Sequence, residues 1–74
     1  MSPENMNRVR RAVAVAGDHL KDKLPPVEGL AHRNAYAHIW KTIKTKFGVS
    51  YKYLGDEELQ NVLDVIEECK ANPV

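Results

Sequence analysis

A single cysteine, Cys69, excludes an internal disulfide. The three histidines and that thiol stand without metal-ligand spacing, so neither a metal site nor a bound cofactor is expected. No apolar run approaches the ~20 residues that a membrane-spanning helix needs, and the opening from Met1 to Asn5 is polar. A lone thiol without an export signal fits a reducing cytoplasm. Acidic residues are missing from the whole stretch between Leu30 and Gly55, which carries five positive charges from Arg33 to Lys52. Also missing is any arrangement of an oriented nucleophile beside a base. The expectation is a protein with no enzymatic activity and no small-molecule substrate, whose function is binding.

Seventy-four residues make one domain, 1–74. A chain of this size buries only about 60% of its unfolded surface, and its core supplies roughly 3–5 kcal/mol. With disulfide and metal set aside, self-association is the remaining stabiliser, and a homodimer is expected. The net charge of +1 hides a division. Residues 1–55 carry ten Lys/Arg against four Asp/Glu, a balance of +6, and residues 56–74 carry one lysine against six acids, a balance of −5. Such a dipole can steer an anionic partner to one side or pair with a copy of itself. It can also be internal, the acidic C-terminal segment neutralising the basic helix it packs on.

Apolar spacing predicts an all-α, compact three-helix domain. Ser2, Pro3 and Glu4 form a helix start: a hydroxyl to accept an orphan N–H, a proline suited to the first turn, and an acid at the positive dipole end. Met6, Val9, Val13, Ala16, Leu20 and Leu24 then recur at steps of three and four. This helix should span about 3–23 and stop before Pro25-Pro26. The same stripe reads as heptads, so it fits a coiled-coil seam or the chain's own core. A second helix is predicted over about 32–47 from Tyr36, Ile39, Trp40, Ile43 and Phe47, with Lys44 and Lys46 in its last turns and Gly48 as a left-handed cap. Val49 to Leu54 alternates apolar and polar without a partner strand, and is expected to be a short extended link. The third helix, about 56–71, opens on Asp56, Glu57 and Glu58, buries Leu59, Val62, Leu63, Ile66 and Cys69, and ends at Asn72-Pro73.

Two surfaces are candidates for binding. The apolar face of the first helix, Met6, Val9, Val13 and Leu20, would receive a protein partner or a second copy, its alanine-rich centre permitting close approach. The cationic residues Arg33, Lys41, Lys44, Lys46 and Lys52, with Arg8, Arg10 and Arg11 as a second cluster, would neutralise phosphates in a salt-dependent way. A sequence-reading helix-turn-helix is not expected. The gap from Phe47 to Asp56 exceeds that motif's turn, and the helix that follows is acidic. Tyr36, Trp40 and Phe47 fall on the core stripe, whereas Tyr51 and Tyr53 on the link are open to either a core or an interface role. His19, His32 and His38 share no ligand spacing, and Cys69 reads as a buried thiol.

The order of Arg33, Ala35-Tyr36, Ile39-Trp40, Ile43-Lys44, Phe47-Gly48-Val49, Ser50-Tyr51 and Leu54, followed by Leu59, Leu63 and Ile66, resembles the C-terminal helical domain of bacteriophage antirepressor and Rha-like regulatory proteins. Phe47 to Tyr51 is the most distinctive part. Gly55 departs from an expected proline, and Leu59 from an expected aromatic. The resemblance implies a phage or prophage origin, the cytoplasm of a bacterial host, and a regulatory setting. It supplies no mechanism. The expectation drawn from both lines is a non-enzymatic regulatory module that binds a protein through its amphipathic first helix. The alternative is a nucleic-acid-binding domain serving phage recombination, replication or transcription control.

Overall fold

The structure, a computed structural model, describes residues 1–21 and 34–72. Lys23, Leu24, the link from Pro25 to Leu30, His32, Arg33 and Pro73 lie outside the described residues. Three helices carry the fold: α1 (Pro3–Leu20), α2 (Ala35–Phe47) and α3 (Leu59–Ala71). Two 3₁₀ turns, Tyr51–Tyr53 and Asp56–Glu58, join α2 to α3. No strand occurs among the described residues, and the all-α three-helix architecture is the one the apolar spacing predicts.

Each boundary has a local cause. Ser2 Oγ accepts the Asn5 N–H at 3.2 Å, with Pro3 as first helical residue. At its other end α1 leaves helical geometry at Lys21, shorter than the expected end near Lys23. α2 begins at Ala35 and not near His32, because Asn34 Oδ1 accepts the Ala37 N–H at 3.1 Å and caps it there. Gly48 closes α2 with φ +78°, the left-handed conformation that glycine adopts without a Cβ penalty.

The link from Val49 to Leu54 is where the sequence pattern misleads. It does not run extended throughout: its centre winds into a 3₁₀ turn. Tyr53 N–H donates to the Ser50 carbonyl at 3.0 Å, and Leu54 N–H to that of Tyr51 at 3.1 Å. Without a neighbouring strand, an extended segment leaves its backbone groups without a ladder, and the turn satisfies them locally.

α1 packs against both other helices. Val9, Val13, Ala16 and Leu20 meet Ala35, Ile39 and Ile43 of α2 and Val62, Val65, Ile66 and Cys69 of α3, with Tyr51 sealing one side. Asp56 Oδ1 accepts from Ser2 N–H at 2.6 Å and Asn5 Nδ2 at 3.1 Å, so the starts of α1 and of the α3 segment lie side by side. The two helices therefore run parallel. α2 runs the other way: Tyr36 near its start lies on Gly17 and bonds Asp18 near the end of α1, while Tyr51, beyond its far end, meets Arg10. A Cβ on Gly17 would collide with the Tyr36 ring, so this glycine is what lets α2 approach.

The face of α1 expected to receive a partner is turned into the core instead. Val9 and Leu20 are fully buried and Val13 is 2% exposed, while Met6 is partly buried against the same core. A stripe at helical spacing buries against whatever apolar surface is nearest, and in this chain α2 and α3 supply it.

Candidate functional site

Gly48 turns the chain back beside α2, and this brings an aromatic pair together. Tyr51, on the 3₁₀ turn, stacks on Trp40 of α2 with ring centroids 4.9 Å apart and planes at 28°. Such offset stacking contributes about 0.5–1.5 kcal/mol beyond area burial. Arg10 of α1 donates from Nε to the Tyr51 hydroxyl at 2.9 Å and from a terminal nitrogen to Asn7 Oδ1 at 3.0 Å. One arginine thus holds the tyrosine against the indole and keeps its own charge beside the pair.

Around that pair lies an open groove of about 320 Å³, lined by Trp40, Ile43, Lys44, Ser50, Tyr51 and Lys52. This is the small end of the ~300–1,000 Å³ typical of ligand sites. Lys44 sits four residues beyond Trp40 and projects from the same side of α2. Lys52 arrives from the turn. Both are exposed, and among the described residues neither forms an ion pair. No acidic side chain lines the groove. The arrangement offers two uncompensated ammonium groups beside a stacked aromatic pair that holds the groove in shape, a combination suited to phosphates.

The remaining cationic candidates are dispersed. Arg8 pairs with Glu4 at 3.6 Å, one turn away on α1. Arg8 and Arg11 line a separate groove with Ala12, Val15 and Leu63 of α3. Lys46 reaches across to Glu68 of α3 at 4.0 Å, so part of the charge division is neutralised internally. Lys41 and Lys46 share a third concavity with His38, Thr42 and Thr45. Arg33 lies outside the described residues. Of the sequence candidates, Lys44 and Lys52 line the groove at the aromatic pair, and Arg10 reaches it through its bond to Tyr51.

The aromatics divide in a way the sequence does not announce. Tyr51 is buried at 6% exposure and Tyr53 is 82% exposed, while Tyr36, expected in the core, is 37% exposed. The Tyr36 hydroxyl bonds Asp18, and that bond to a carboxylate, with a smaller contribution from desolvation, raises its pKa above the usual tyrosine value.

Reactive chemistry finds little footing. Cys69 is buried, and burial raises its thiol pKa although a hydrogen bond with Thr42 opposes the shift. That is the reverse of an activated thiolate. Among the described residues, no three His, Cys, Asp or Glu gather to hold a metal ion, and no helix is long and apolar enough to cross a membrane. Comparison with protein families, curated proteins and solved structures finds no match. The resemblance to phage regulatory domains rests on its motif residues alone.

Proposed function

We propose that this chain is a non-enzymatic binding domain of the phage regulatory kind, and that it engages the phosphate backbone of nucleic acid through the groove of Trp40, Tyr51, Lys44 and Lys52, with Arg10 beside it. The observation that supports this reading is the pair of uncompensated lysines flanking a stacked aromatic pair, in a groove without a carboxylate. A partner on Met6, Val9, Val13 and Leu20 would lack a surface, because Val9, Val13 and Leu20 are core and Met6 is partly buried against it. Binding would be modest in strength and tolerant of sequence, since backbone charge carries no base information.

Fluorescence anisotropy with labelled single-stranded and duplex DNA at low salt tests the proposal. The double change Lys44→Glu and Lys52→Glu should weaken binding at least about tenfold. Lys21→Glu serves as control, since it lies roughly 16 Å along α1 from Arg10 and should cost much less. Absence of binding by the native chain, or equal losses from both variants, would remove the proposal.

A protein contact on α1 keeps one supporting observation on a different face of the helix. Val15 is 56% exposed, in a groove edged by Arg8 and Arg11.

A further inference from the structure

Val15 belongs to a groove whose other walls are Ala12 on α1 and Leu63 on α3, with Arg8 and Arg11 along its edge. Leu63 is only partly buried. One turn beyond Leu63 on the same side of α3 stands Glu67, exposed. Arg11 and Glu67 make no hydrogen bond or ion pair among the described residues.

The placement of these charges is ordered. α1 and α3 run parallel, as the bonds from Ser2 and Asn5 to Asp56 establish. Arg11 precedes Val15 by four residues, and Glu67 follows Leu63 by four. At 1.5 Å per residue, each charge lies about 6 Å from the apolar centre, in opposite directions along the bundle. They also sit on different helices, so they occupy diagonal corners of one face. A two-fold axis lying in that face, passing between Val15 and Leu63 at right angles to the Arg11–Glu67 diagonal, sets Arg11 of one copy opposite Glu67 of the other. The apolar centre would meet its own copy, and two Arg11–Glu67 pairs would form at once.

We infer that a second copy of this chain covers the face made by Arg11, Ala12, Val15, Leu63 and Glu67, giving an isologous dimer. The inference is independent of nucleic-acid binding, because Lys44 and Lys52 lie in a different groove. It places self-association on the outer side of α1, whereas the core-facing stripe has no part in it. Isologous contacts require a self-complementary patch, and this diagonal of opposite charges about an apolar centre is one.

Sedimentation equilibrium of the full chain, from low micromolar to near-millimolar concentration, reads the outcome. A monomer–dimer equilibrium is expected. Val15→Asp should abolish the dimer while circular dichroism shows helix content unchanged. Arg11→Glu and Glu67→Arg should each weaken the dimer about tenfold, since each turns two attractive pairs into repulsions. The double variant Arg11→Glu with Glu67→Arg should restore it, and that rescue separates direct pairing from damage to the fold. A monomer throughout the range would overturn the inference. So would a dimer that Val15→Asp leaves intact, or charge reversals without mutual rescue.

Discussion

Val13 and Val15 are the same side chain two positions apart on one helix, and their environments make opposite predictions for the same change. Val13 is 2% exposed within the core, and Val15 is 56% exposed. Val13→Ala removes two buried carbons, worth about 1.6 kcal/mol of transfer free energy at ~0.8 kcal/mol each. The cavity adds to this: roughly 50 Å³ at ~24 cal/mol per Å³ would give about 1.2 kcal/mol if the neighbours did not relax. A loss of about 2–3 kcal/mol follows, most of the roughly 3–5 kcal/mol that a core this small supplies. At ~4–8 °C per kcal/mol for a domain of this size, the melting temperature should fall by about 10–20 °C. Val15→Ala should stay within about 0.5 kcal/mol, as exposed substitutions do. Thermal unfolding followed by circular dichroism, at a concentration low enough to keep the chain monomeric, measures both. Equal shifts for the two variants, or a negligible one for Val13→Ala, would refute the placement of this stripe in the core.

Gly48→Ala meets no neighbouring atom within 4 Å, so its cost is backbone strain at φ +78° alone; a loss of about 1 kcal/mol is expected from chemical denaturation. Gly17→Ala is the contrasting case: a Cβ there displaces the Tyr36 ring, so despite the ~0.8–1.0 kcal/mol helix preference for alanine, the Tyr36–Asp18 bond should break. A spectroscopic tyrosine titration should then show the pKa of Tyr36 falling back toward its ordinary value. Asp56 has a pKa lowered chiefly by the Ser2 N–H, and next by the Asn5 side chain. Its ionised form is favoured by folding, so this contribution is present above the unfolded value of about 3.8 and disappears as pH falls through the lower folded value. The pH dependence of stability in that acid range should be shallower in Asp56→Asn than in the native chain, and identical profiles would contradict the bond.

Periodicity was a good guide wherever a helix carried an uninterrupted apolar stripe. Ile39, Ile43, Val62 and Ile66 are core, and Gly48 is the left-handed cap that the lysines before it announce. A stripe says that a face is buried without saying against what, which is why the α1 face could be read equally as core or as interface. The link failed for a different reason. Alternation in Val49 to Leu54 puts Tyr51 and Tyr53 on the same side of a strand, but a 3₁₀ turn of three residues per turn separates them. One tyrosine enters the core and the other faces solvent. The lysines were legible as a cationic set. That Arg10 from α1 would join Lys44 and Lys52 through Tyr51 depends on how α1 crosses the turn, a tertiary fact with no local signature. Asn34 carries a cap signal in its residue type, and its side chain is what starts α2 at Ala35.

The most direct test of the cationic groove is the salt dependence of nucleic-acid affinity. Three phosphate contacts, from Arg10, Lys44 and Lys52, predict that log K falls against log salt with a slope of about −2 for single strands and about −2.7 for duplex. Affinity should therefore drop about 20- to 40-fold between 50 and 200 mM monovalent salt. A slope near zero, or no complex at 50 mM, would contradict the assignment of this groove to phosphates.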